Sequence, residues 1–211
     1  MKQVPEWFVP HQGSLVEPVV GIFTLKGVFV LKSVYVEPGK PARLVDVDFH
    51  TIQEQLGFIS CAYPFPDPSV AVICDDDGIA NNRAPNRTIN GELMPGPFYI
   101  LTTTSSGELT GLSDAQAEHY LELFSIPESF PAGRWSVTTT VEDTPHTSVI
   151  RIKSSWIPVC PRCGNEYSDP PALSRADNAT LICPDCGMRE ALEAVHFSPD
   201  RIEAIIKEAR K

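Results

Sequence analysis

Residues 69–78 read SVAVICDDDG, and the run from Val70 to Cys74 is apolar at every position. A half-buried strand alternates apolar and polar residues, whereas a strand inside a sheet is apolar on both faces. Val70 to Cys74 is therefore expected to be an interior strand, and Asp76, Asp77 and Gly78 are its exit turn. Just upstream, "FISCAYPFPDP" supplies another strand and a proline-rich turn, which puts Cys61 and Cys74 in strands as small buried apolar residues. Before it, "DFHTIQEQLG" has helical spacing: Phe49, Ile52 and Leu56 share a face, Asp48 is placed as N-cap and Gly57 as the stop. Further upstream, "GVFVLKSVYVEPGKPARLVDVD" gives two strands about the turn "EPGKP", the first opened by Val28, Val30 and Leu31, the return formed by Leu44, Val45 and Val47.

Downstream, "NNRAPNRTINGELMPG" is read as an irregular polar connection, followed by the strand "PFYILTTT". "LSDAQAEHYLELF" is a helix whose Ser113 and Gln116 have capping-box spacing, with Ala117, Tyr120, Leu121 and Phe124 as its apolar stripe. The order strand, strand, helix, strand, strand, strand, helix implies an α+β domain with a small mixed or antiparallel sheet and two helices. "GRWSVTTTVEDTPHTSVIRIKSSW" is a further hairpin turning at "EDTP". In "SPDRIEAIIKEARK", Ser198 and Pro199 mark a helix start, and Ile202, Ile205, Ile206 and Ala209 share one side. The expected divisions are an α+β domain over 1–125 with its core at 30–125, a β-hairpin connector over 126–157, a cysteine-bearing segment over 158–197, and an amphipathic terminal helix over 198–211.

Charge is unevenly spread along the 211 residues. Residues 1–150 hold 8 Lys and Arg against 18 Asp and Glu, while residues 151–211 hold 9 of each, so the whole net charge of −10 belongs to the front part. An acidic surface repels phosphate backbones, which argues against nucleic-acid binding there. Over residues 151–190, Arg151, Lys153, Arg162, Arg175 and Arg189 are balanced by Glu166, Asp169, Asp177, Asp185 and Glu190, so the cysteine segment has no basic cluster either. The opening "MKQVPEWFVPHQGSLVEP" shows no signal-type apolar core, and no apolar stretch is long enough to span a membrane. A soluble, cytoplasmic protein is expected.

Cys160, Cys163, Cys183 and Cys186 form C-x2-C-x19-C-x2-C, the spacing of a structural zinc site. Each short turn presents two thiolates, and Gly164 and Gly187 each follow the second cysteine, where a positive φ lets main-chain N–H groups face sulfur. Between the pairs, "ALSRADNATLIC" reads as a hairpin turning at Asp177 and Asn178. Four thiolates and a hairpin describe a zinc ribbon. Two disulfides would require an oxidising compartment. A segment this short cannot hold itself by an apolar core, whereas structural zinc contributes on the order of 10–16 kcal/mol in small finger peptides. Zinc is thus the expected cofactor.

No catalytic constellation is legible. His11, His50, His119, His146 and His196 are scattered, and "DDDGIANNRAPN" lacks the alternating ligands and closing glutamate of a calcium loop. The expectation is a protein that is not an enzyme. Outside the cysteines, Asn86 and Arg87 are the residues of interest: an arginine fork there suits a carboxylate or phosphate, and the competing reading is a structural ion pair with the aspartate turn.

Apart from a second Asn–Arg pair, Asn82–Arg83, which departs from the pattern, the turn "EPGKP", the helix ending in "LG", the turn "DDDG", the pair Asn86–Arg87 and Gly96 lie within about residues 30–125. With these features the stretch resembles the domain of unknown function 3846 family, found in phages, conjugative elements and their hosts. The tail "PALSRADNATLICPDCGMREALE" is similar to a ribbon appended to phage and mobile-element proteins. The resemblance implies an accessory or regulatory protein of a mobile genetic element that acts by binding a protein partner. Two alternatives stay open: a binder of a small nucleotide or signal molecule using Asn86, Arg87 and Arg83, and an acidic, DNA-mimic-like inhibitor of a host protein.

Overall fold

The computed structural model describes residues 30–144 and 147–210. Expectations placed on Val28, His11, Pro145 and His146 lie outside the described residues. The chain divides after Ser129 into two compact units, each with its own core.

The first unit opens with the antiparallel hairpin β1 (Leu31–Val36) and β2 (Arg43–Val47), then helix α1 (Phe49–Leu56) and strands β3 (Ile59–Ala62) and β4 (Val70–Asp75). Strands β5 (Pro85–Ile89), β6 (Glu92–Pro95), β7 (Phe98–Thr103) and β8 (Leu109–Thr110) follow, and helix α2 (Asp114–Leu123) completes it. The main sheet runs β2-β1-β7-β4-β3, with β8 paired to β7, and every pairing is antiparallel. β4 lies between β7 and β3 and is buried along its whole length, as its unbroken apolar run requires.

Its two faces meet different helices. Val70, Val72 and Cys74 join Val34, Val36, Phe98 and Ile100 in one core with Ala117, Tyr120 and Phe124. Ala71 and Ile73 join Tyr35, Tyr99 and Leu101 in a second with Ile52 and Leu56. The first unit is therefore a helix–sheet–helix sandwich, and the class is α+β. Asp48 caps α1 by accepting from the Thr51 N–H at 2.8 Å, and Ser113 and Gln116 form the reciprocal capping box of α2.

Three local expectations are corrected. Phe49 is 46% exposed, so the buried side of α1 consists of Ile52 and Leu56. Cys61 is exposed because β3 is an edge strand, whereas Cys74 is buried. The connection over residues 81–96 is not irregular: β5 and β6 form a hairpin about Asn90–Gly91, with Ile89 opposite Glu92. Both turn residues have positive φ, 50° and 85°, the backbone a two-residue hairpin loop needs. Ile89 and Met94 carry this hairpin onto the core that also holds α2.

In the second unit, β9 (Gly133–Thr144) and β10 (Thr147–Pro158) form a long two-stranded ribbon. Glu142 to Thr144 belong to β9, so the strand outlasts the turn expected at "EDTP". At the root of the ribbon, Trp135 lies opposite Trp156 with ring centroids 5.4 Å apart, and Trp156 Nε1 donates to Pro131 O at 3.0 Å. The remainder comprises the short hairpin β11 (Ala172–Leu173) and β12 (Leu181–Ile182) and helices α3 (Pro184–Ala194) and α4 (Pro199–Ala209). The described residues thus contain four helices, α3 being the one absent from the sequence reading. α4 packs on α3 inside this unit, with Ile202 and Ile206 buried, Ile205 half-buried and Ala209 exposed. Arg189–Glu203 and Arg210–Asp185 ion pairs flank that contact. No described helix is long and apolar enough to cross a membrane.

Candidate metal centre and the buried asparagine–arginine pair

Each pair of cysteines is positioned by a different local structure. Cys160 and Cys163 lie in a tight turn closed by hydrogen bonds from Gly164 N to Cys160 O (2.8 Å) and from Cys160 N to Asn165 O (2.9 Å), with Gly164 at φ 74°. Cys183 is instead the N-cap of α3, and its sulfur accepts from the Cys186 N–H at 3.4 Å. Gly187 consequently lies within the helix and does not adopt the positive φ expected of it. Its lack of a side chain serves a close approach: a Cβ there would lie 2.4 Å from Ala172 Cβ on β11.

The four sulfurs lie within 4.8 Å of one another, so Cys160, Cys163, Cys183 and Cys186 could hold a metal ion. Cys163 Sγ and Cys183 Sγ are 3.8 Å apart. Thiolates about 2.3 Å from a central ion at tetrahedral angles stand about 3.8 Å from each other, so the cluster fits a four-coordinate ion. Cys160 Sγ accepts from the Cys183 N–H at 3.3 Å. Burial opposes ionisation of Cys160, but the N–H groups of Cys183, Cys163 and Arg162 outweigh it and bring its pKa down to about 6. Burial pushes the Cys183 and Cys186 thiols up. A bound cation would reverse that by favouring thiolate.

Glu190, which sequence reasoning did not single out, ties this centre together. It is 6% exposed on α3 and accepts from Ser174 Oγ (3.0 Å), from the Arg175 N–H and from Arg162 of the first cysteine turn. One carboxylate thus joins both cysteine turns to the β11–β12 hairpin. The Arg175 N–H, followed by Ser174 and Arg162, holds its pKa below the ordinary value despite burial. Its signal in the sequence was a glutamate on the inner side of a helix starting at Cys183, hidden because that helix was not recognised.

Asn86 and Arg87 are 0% and 2% exposed. Asn86 Nδ2 donates to Val36 O (3.0 Å) and Gly96 O (2.8 Å), while Arg87 donates to Asn86 Oδ1 (2.9 Å), Asn86 O (3.1 Å), Lys40 O (2.7 Å) and Phe124 O (3.4 Å). The pair locks the β5–β6 hairpin to the main sheet, to the β1–β2 turn and to the C-cap of α2. The ion pair expected of Arg87 with the aspartate turn is made by Arg83, whose Nε donates to Asp75 Oδ2 at 2.7 Å. Asp75 also accepts from the Asp77 N–H and from Asn81, so the aspartate turn is a hydrogen-bonded structural element.

No curated protein and no solved structure matches the chain. Residues 31–125, which span β1 to β8 and both helices of the first unit, match the family model described as Domain of unknown function (DUF3846).

Proposed function

We propose that the protein is a zinc-binding accessory or regulatory factor of a phage or other mobile element, without catalytic activity, that acts in the cytoplasm by binding a partner protein. The observation that carries this reading is the cluster of four cysteine sulfurs. Zinc is the simplest occupant of four thiolates in one tetrahedral site, and such a site leaves no coordination position for substrate. The mobile-element origin rests on the resemblance drawn from the sequence motifs of residues 30–125 and of the cysteine-bearing tail. Partner binding is supported by the β9–β10 ribbon, on one face of which Val137, Val141 and Ile152 are 54%, 59% and 43% exposed. Two-stranded ribbons are marginal in water unless an apolar face is covered.

Elemental analysis of protein purified under reducing conditions without added metal tests the zinc; about one ion per chain is expected. The partner is tested with the Val137→Asp, Val141→Asp double variant. It should keep its metal but lose a host protein that the unaltered chain captures, and identical capture by both would defeat the reading. A thermal shift with nucleotides would instead favour a ligand at Asn86, Arg87 and Arg83, a binding mode that has to open the lock that the buried Asn86 and Arg87 side chains form.

A further inference from the structure

We propose that Cys163 is a site of oxidation by hydroperoxides, and that its modification discharges the metal centre by forming a disulfide with Cys183. The inference rests on the zinc reading above and adds a means of regulating that site. Cys160, Cys183 and Cys186 are 5% exposed or less, whereas Cys163 is exposed. A small oxidant arriving from solvent therefore meets one of the four sulfurs. All four sulfurs lie within 4.8 Å of one another, and that of Cys183, on the opposite cysteine pair, is in contact with Cys163 Sγ at 3.8 Å. Closing that separation to a disulfide bond of about 2.05 Å requires a movement of about 1.8 Å.

The steps balance. The Cys163 thiolate attacks one peroxide oxygen, the O–O bond breaks, a sulfenic acid forms and hydroxide leaves. The Cys183 thiolate then attacks that sulfur, the S–O bond breaks, the S–S bond forms and a second hydroxide leaves. Two thiolates lose two electrons in all, and the peroxide gains them. The ion keeps only Cys160 and Cys186, half of its ligands, and is released.

The test treats the zinc-loaded full chain with hydrogen peroxide. Zinc release is followed with a chromogenic chelator, and the acid-quenched, alkylated protein is mapped by trypsin and mass spectrometry. Trypsin cuts after Arg162, separating Cys160 from Cys163, and fragmentation distinguishes Cys183 from Cys186. The expected result is loss of about one zinc per chain in step with a Cys163–Cys183 crosslink, both reversed by dithiothreitol with added zinc. Cys61→Ser, which removes another exposed thiol, should respond as the unaltered chain does. Zinc retained under peroxide, a disulfide within either C-x2-C turn, or a response abolished by Cys61→Ser would overturn the proposal. Metal content before peroxide judges the zinc reading separately, and the crosslink map judges this one.

Discussion

A methyl group at position 187 would sit 2.4 Å from Ala172 Cβ, well inside van der Waals contact, so Gly187→Ala must push α3 away from β11. Strain of this kind costs about 1–3 kcal/mol, and the cysteines of α3 move with it. Zinc affinity, measured by chelator competition, is expected to fall about 10- to 100-fold. The glycine's importance was legible in the repeated C-P-x-C-G, but its reason was not, since periodicity gives no hint that one turn stays a loop while the other begins a helix. Arg83 and Arg87 show the same limit: two Asn–Arg pairs four residues apart look equivalent, and the β5–β6 turn decides which arginine faces inward. Arg87→Ala would leave the Lys40 carbonyl and the Asn86 side chain short of a donor in the interior, while the Phe124 carbonyl keeps the Ala42 N–H. A loss of about 2–3 kcal/mol is expected in urea unfolding. At Asp67, the Ser69 hydroxyl, the Ser69 N–H and Gln116 hold the carboxyl pKa below its ordinary value. A depressed folded pKa stabilises above the unfolded pKa of about 3.9 and is lost as pH falls through the folded one. Asp67→Asn should therefore lower the Tm at pH 7, and the difference should vanish in strong acid.

Among the elements, those with uninterrupted apolar runs or complete caps were readable, because their signals are local. β4 and α2 belong to this group. For α2 the capping box satisfies main-chain donors at its first turn, so Ser113→Ala should cost about 1 kcal/mol of the first unit's stability, read by chemical denaturation. The β5–β6 hairpin was obscured because polar residues outnumber apolar ones along it; the Asn90–Gly91 pair between Ile89 and Glu92 was the signal to weigh. α3 was hidden for a different reason, a zinc-ribbon spacing that invites two identical turns. The α4 side formed by Ile202 and Ile206 is covered by its own unit, leaving the exposed side of the β9–β10 ribbon as the surface that distinguishes this unit from a self-sufficient domain.

For the molecule as a whole, charge and covalent chemistry divide along the chain. The first unit carries the acidic excess and builds two apolar cores on the faces of one sheet. In the second, the cluster at the cysteines consists of Cys160, Ile182, Cys183 and Cys186, with Tyr167 and Ala172 packed against it, and apart from it Trp135 at the root of the ribbon and Ile202 and Ile206 on α4 are buried. So small an apolar cluster cannot offset the conformational entropy of the segment it orders, and three of its four buried members are the candidate ligands themselves. With zinc as the proposed occupant, metal binding and folding are expected to be one process for the cysteine segment and separate ones for residues 31–125. The most direct measurement is the amide proton–nitrogen NMR spectrum of the reduced full chain, recorded with one equivalent of zinc and again after a strong chelator. The account predicts that dispersed resonances of residues 159–210 collapse to the random-coil region on chelation and return with zinc, while those of 31–125 keep their positions. An unchanged spectrum for residues 159–210 in the metal-free chain would contradict it.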